Sequence, residues 1–378
     1  CDSAARVLRN HAPRREEVDL FLLPELNGKG RDRYLCNNRP RGLRRWLEAR
    51  PPRSPHHWVA LLDPDMLFLR PLDPAGPWRV AGGAAGAGRG VWRLAEVPPG
   101  LALAHHFPFV AKAWQELNLS LSALCGSSGS ASASSSVLPD CETKLRGLFE
   151  EPGLVAREYS VGVPHLVRAA DLAHMAGPWE VLTNRVRAQY RGWTAEMFSW
   201  ILAARYIGLR FAYLAEAVSD PAAPEPAWRL VDASLAGDPC QGGGVGGAGR
   251  LDGPLLLHYC EIYNISYYVG HGRHSSGDPL ATERHTTYLD KREVVKALRA
   301  LLPTAKPSLS PTEPPPSLLD CQAPLFELPP TDLLEAEATR RQGDTEASVK
   351  APAPLLFRRS AWLLCTTLRA LNGGLRDF

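Results

Sequence analysis

The 378-residue chain contains no run of about 18 or more apolar residues and no signal-peptide pattern, so any membrane anchor is expected upstream of Cys1. Its eight cysteines (Cys1, Cys36, Cys125, Cys141, Cys240, Cys260, Cys321 and Cys365) include no CxxC pair, which argues against a zinc ribbon or a thioredoxin-type site. Neither HExxH nor His-x-Asp occurs, which removes the usual signatures of a metal-dependent hydrolase. Charge of one sign is also missing. The 43 basic and 40 acidic residues nearly cancel, so no long-range field points to nucleic acid or to an anionic membrane.

What is present suits a sizeable core, because 45% of the residues are apolar and ten are Trp. The length fits one large domain or two ordinary ones. An even number of cysteines is compatible with disulfides in an oxidising lumen, although eight allow about 105 pairings. The sequons Asn118-Leu119-Ser120 and Asn264-Ile265-Ser266 suit the same compartment.

Val18–Leu23 reads as an early strand, and Gly42–Ala49 as a short helix after Pro40 whose arginines form a solvated face. Ala81–Gly90 and the Ser/Gly/Ala-rich stretches at Cys125–Ser136 and Gly242–Gly249 read as loops or surface insertions. Trp193–Ile207 is apolar nearly all round and predicts a buried helix with Glu196 in its first turn. Leu255–Tyr259 predicts a buried strand ending in a polar pair. His56, His57, His105 and His106 read as loop residues. Pro303–Pro316 and Glu335–Lys350 suggest an extended tail, and Ser360–Leu371 a returning helix stopped by Gly373. The expected organisation is a body over 1–300, a Pro-rich or polar linker over 301–358 and a C-terminal helix over 359–378.

The most informative stretch is Trp58–Leu72. Val59–Leu62 is an apolar run too short for a helix and reads as a strand buried on both faces, as in a parallel sheet. Ligands of open α/β sheets gather beyond the carboxyl ends of strands, where Asp63 and Asp65 fall. Two carboxylates at i and i+2 of an extended segment face one side and can share a hard cation such as Mn2+ or Mg2+, with Pro64 stiffening the spacing. The same Asp-Pro-Asp is also compatible with an ordinary solvated turn.

Several further segments carry a resemblance. Asp32-Arg33-Tyr34, Asn38-Arg39-Pro40, Trp46-Leu47, Asp63-Pro64-Asp65, Arg70-Pro71-Leu72, Asn184-Arg185-Val186, Gly192–Met197, His258-Tyr259 and Asp290-Lys291-Arg292 occur in this order. Together they resemble the hydroxyproline O-arabinosyltransferases of plants and green algae and the related peptidyl serine α-galactosyltransferases. The resemblance implies an α/β fold of the GT-A glycosyltransferase type, with a central, mostly parallel sheet flanked by helices. It implies Asp63 and Asp65 as the metal motif on the diphosphate of a UDP-sugar, His258 as a third ligand, and Asn38, Arg39, Lys291 and Arg292 as diphosphate-binding groups. Glu196 becomes the residue that positions or deprotonates the acceptor hydroxyl. The implied partners are a UDP-sugar and a hydroxyproline- or serine-containing peptide, in the Golgi lumen, for a type II membrane protein in full-length form. In this family an earlier nucleotide-binding strand is expected upstream of Cys1. An inactive binding module with this fold and a metal-dependent hydrolase are the alternatives from other classes.

Overall fold

The structure, a computed structural model, describes residues 34–126 except 35, 37, 53, 64, 71, 72, 74 and 84–87, then 138–233, 253–258, 263–270, 282–289 and 353–376. For 263–270, 282–289 and the two ends of the last helix it describes the backbone path alone. In chain order the elements are α1 (Asn38–Ala49), β1 (Trp58–Leu61), β2 (Met66–Phe68), β3 (Trp78–Gly83), β4 (Gly90–Trp92), β5 (Leu101–His106), α2 (Pro108–Gln115), α3 (Leu121–Cys125), α4 (Cys141–Glu150), β6 (Val161–Arg168), α5 (Ala169–Gln189) and α6 (Ala195–Ile207). There follow β7 (Arg210–Leu214), β8 (Ala217–Val218), α7 (Trp228–Asp232), β9 (Leu256–His258), β10 (Tyr263–Gly270), β11 (Thr282–Leu289) and α8 (Ala353–Arg376).

The chain divides into two units, one holding residues 1–62 and 74–215 and the other 63–73 and 216–378. The first is built on a six-stranded sheet of order β1-β6-β5-β7-β3-β4. Only β5 and β7 run parallel; every other pairing in it is antiparallel. The protein is thus mixed α/β, but the mostly parallel sheet expected from the sequence is corrected to a mostly antiparallel one. β1 is the reason. Its short apolar run suggests a doubly buried strand, yet it is half exposed and, among the described residues, ends the sheet, pairing with β6 alone.

The sheet's buried strands follow from their composition. β5 is buried along Leu101–His105, and β6 along Val161–Val167. His105 and His106, expected in a loop, therefore belong to β5, and His105 is buried; His56 and His57 do lie in the turn before β1. At the β3–β7 irregularity, Gly83 has φ +132° and a Cβ there would meet the Phe211 carbonyl oxygen at 2.5 Å, so only glycine permits that approach.

Helices α5 and α6 pack on each other, α1 packs on α5, and α2 on α6. α6 is buried nearly all round, as its composition predicts, and ends where Gly208 adopts the left-handed conformation (φ 78°). Trp193, expected within it, instead precedes it and is exposed, stacked on Phe109 with ring centroids 5.9 Å apart. The core between sheet and helices is aromatic: Trp200 meets Trp179 edge-on at 4.7 Å and His165 face-on at 4.4 Å. Cys125 and Cys141 form a disulfide joining the ends of α3 and α4, and Cys365 is disulfide-bonded as well.

The second unit contains a three-stranded sheet of order β2-β9-β8 and the antiparallel pair β10–β11. α8 extends from Ala353 to Arg376, beginning within the stretch expected to be linker and running through Gly373 instead of stopping there. It is fastened by Arg359, whose guanidinium donates to both carboxylate oxygens of Asp232 at 2.8 and 2.6 Å and to the Pro221 carbonyl at 3.2 Å while lying over the Trp228 ring. The expected strand at Val18–Leu23, the glycine-rich insertion at Gly242–Gly249 and the expected tail regions Pro303–Pro316 and Glu335–Lys350 lie outside the described residues.

Candidate metal centre

The chain leaves the first unit after Leu62 and turns at once. The Met66 N–H donates to the Asp63 carbonyl at 3.2 Å, closing a turn between these two residues. The two carboxylates are thus brought together by a turn, not by the extended i, i+2 geometry expected from the sequence. β2 follows immediately, and its antiparallel register with β9 sets Met66 opposite His258, Leu67 opposite Leu257 and Phe68 opposite Leu256. That pairing carries the imidazole of His258 to the turn. Its Nε2 lies 3.2 Å from Asp65 Oδ1 and 3.7 Å from Asp63 Oδ2.

All three side chains are sheltered, with His258 buried and Asp63 and Asp65 about one-fifth exposed (22% and 18%). One ligand atom from each lies within 4.8 Å of the other two. This fits a divalent cation. Ligand atoms about 2.1 Å from an octahedral ion stand roughly 3 Å apart when adjacent, close to the separations found here; the two carboxylates are the hard oxygen donors that Mn2+ and Mg2+ take, and the imidazole favours Mn2+ of the two.

The opposite end of the same sheet is held by an ion pair. Arg70 Nη2 lies 2.8 Å from Glu216 Oε2, and Glu216 is almost wholly buried. The Glu216 carbonyl also accepts the N–H groups of Leu255 and Leu256, and Leu69 donates to the Leu255 carbonyl. Arg70 thereby ties β2 to the strand start that precedes His258. The Arg-Pro-Leu motif is visible in the sequence, but Glu216, 146 residues away, has no signal to mark it as the partner.

Glu196 belongs to the first unit. Its carboxylate is buried and lies 3.5 Å from Arg39 Nη1. Burial pushes its pKa up, and the Arg39 charge only partly offsets that. Its backbone N–H, unpaired within the helix as a first-turn donor, goes to the Tyr34 hydroxyl at 2.9 Å, which in turn donates to the Trp193 carbonyl at 2.5 Å. Burial likewise raises the Tyr34 phenol, and Arg187 lies 4.1 Å from its ring centroid. Arg39 also acts on His165, whose pKa falls well below the ordinary value, chiefly through burial and then through Arg39 and His105. In the sequence Tyr34 appears only within the Asp32-Arg33-Tyr34 motif, with no role attached, and nothing in spacing or composition separates His165 from an ordinary core residue.

The sequence-derived set is therefore partly gathered. Asp63, Asp65 and His258 converge in the second unit; Arg39 and Glu196 form an ion pair in the first; Asn38 begins α1. Lys291 and Arg292 lie outside the described residues. Among the described residues no helix is long and apolar enough to cross a membrane. Comparison of the chain with known protein families, curated proteins and solved structures finds no match.

Proposed function

We propose that the chain is a metal-dependent glycosyltransferase of the GT-A type that moves a sugar, L-arabinofuranose in the leading reading, from a UDP donor to hydroxyproline of secreted proteins. The observation that carries the reading is the convergence of Asp63, Asp65 and His258 at one turn. Two carboxylates and a neutral imidazole nitrogen would hold Mn2+ or Mg2+. Bound there, the ion supplies positive charge against a nucleotide diphosphate as negative charge builds on the departing group.

Asp65, nearer to His258, is the leading direct ligand, and Asp63 supplies the second oxygen. Glu196 takes the role of positioning the acceptor hydroxyl or accepting its proton, and its raised pKa makes it a stronger base than a solvated carboxylate. The proton leaves the hydroxyl as its oxygen bonds to the anomeric carbon, and the bond from that carbon to the diphosphate breaks to release UDP. The disulfide-bonded cysteines support a compartment in the secretory lumen, with the Golgi the leading choice.

The test is UDP release from a panel of UDP-sugars with Mn2+, with and without hydroxyproline and serine peptides. Release that requires both Mn2+ and the hydroxyproline peptide supports the reading. Dependence on the serine peptide alone shifts it to the galactosyltransferase type, and no release with any donor overturns it.

A further inference from the structure

We propose that Asn118 is a site of N-linked glycosylation, an inference that rests on the secretory-lumen reading above but not on the transferase activity. Asn118-Leu119-Ser120 has the required hydroxyl two residues on and no proline between. Structure adds what the motif lacks. The segment lies in the irregular stretch between α2 and α3, and the residues alternate: Leu117 and Leu119 pack partly buried against the core, whereas Asn118 between them is exposed. The two leucines fix the backbone, so the amide of Asn118 faces solvent and a glycan there displaces no packed side chain.

Ser120 is held in an extended conformation (φ −85°, ψ 120°) at the start of α3, where its hydroxyl accepts the Ala123 N–H at 3.3 Å and its own N–H donates to Gln189 Oε1 at 2.7 Å. Its side chain remains exposed. Five residues on, Cys125 is bonded to Cys141, so the oxidation that joins α3 to α4 and the glycan beside it call for one compartment. The second sequon differs, because Asn264 lies within β10 and pairs with Tyr288 of β11. The co-substrate is an oligosaccharide on a lipid diphosphate. The Asn118 amide nitrogen forms a bond to C1 of the first sugar, the bond from C1 to the diphosphate breaks, the amide gives up one proton, and the lipid diphosphate departs.

The experiment expresses the full chain behind a cleavable secretion signal in eukaryotic cells. Intact mass and peptide maps are compared before and after removal of N-glycans by an amidase that leaves aspartate at the glycosylated position. The expected result is a glycan increment at Asn118 that disappears in Asn118→Gln and persists in Ser120→Thr and in Asn264→Gln. The same map reports the Cys125–Cys141 disulfide, which records entry into the oxidising lumen. A chain carrying that disulfide with an unmodified Asn118 overturns the proposal, as does an increment that survives unchanged in Asn118→Gln. Because the readout is mass, a glycosylated chain that releases no UDP defeats the transferase reading alone, and an active chain without the glycan defeats this one alone.

Discussion

Replacing Asp65 by Asn removes one charge and almost no volume, which makes it the sharpest test of the metal centre. Without metal the fold should persist, because the amide keeps the carboxylate's shape and places an oxygen beside His258 Nε2, 3.2 Å away in the native pair. With metal the balance differs. A carboxylate about 2.1 Å from a divalent ion, at an effective dielectric of about 20, gains roughly 15 kcal/mol of gross attraction, most of it cancelled by the hydration both groups lose. The side chain is only 18% exposed, so solvent screens little of what remains. A net loss of about 3 kcal/mol, or roughly a hundredfold weaker Mn2+ binding, is expected. Calorimetric titration of Mn2+ into metal-free protein measures it, with exposed Glu116→Gln as a control of equal net charge. Asp63→Asn should lose less, since Asp63 stands farther from His258. Binding by Asp65→Asn within threefold of the native protein, or an equal loss in Glu116→Gln, would refute the reasoning.

Glu196→Gln should lower turnover more than it raises the Kd for UDP; equal effects in steady-state kinetics and UDP titration would reduce Glu196 to a structural partner of Arg39. Glu225 is buried and accepts from the Ser219 N–H and hydroxyl and the Asp220 N–H, yet burial dominates and pushes its pKa from 4.5 to about 8. Below about 4.5 both folded and unfolded chains hold the proton and the stabilisation is complete; between 4.5 and 8 only the folded chain holds it, so stability falls as pH rises. Urea titrations at several pH values in metal-free buffer should show Glu225→Gln declining less steeply than the native protein by up to about 1.4 kcal/mol per pH unit, and parallel curves would contradict this. Arg359→Met should cost about 2–4 kcal/mol, below the full penalty for breaking a buried pair because Asp232 is 25% exposed. Arg359→Lys should restore only part of it, because an ammonium lacks the fork that grips both oxygens; full recovery in urea unfolding would place the effect in charge alone.

The sequence makes local order legible and long-range pairing illegible, for a physical reason. Burial of α6 and of β9 follows from continuous apolar composition, which also sets His258 correctly at the end of its strand. The same reasoning fails for β1, because an apolar run of four residues does not reveal how many neighbours it will have. Its partner β6 lies about a hundred residues onward, and nothing local to Trp58–Leu61 encodes the antiparallel direction of that pairing. His105 shows the converse: polar identity suggests a loop, while its neighbours Leu101–Ala104 form a strand that carries it into the core.

At Asp63-Pro64-Asp65 the turn and the metal clamp are rival readings of the sequence, and the backbone shows that they need not exclude one another. The Asp63 carbonyl closes the turn while its carboxylate faces His258, so the turn itself sets the ligand spacing. The third ligand then depends wholly on register. Successive side chains of a strand point to opposite faces, so a one-residue slip of β9 against β2 would carry His258 away from both carboxylates. β2 has only three residues, too few ladder bonds to define that register strongly by themselves. The Arg70–Glu216 pair at its far end, with the Glu216 carbonyl holding Leu255 and Leu256, supplies the missing constraint. The candidate metal centre is therefore specified by two residues that touch no metal as much as by the three that would.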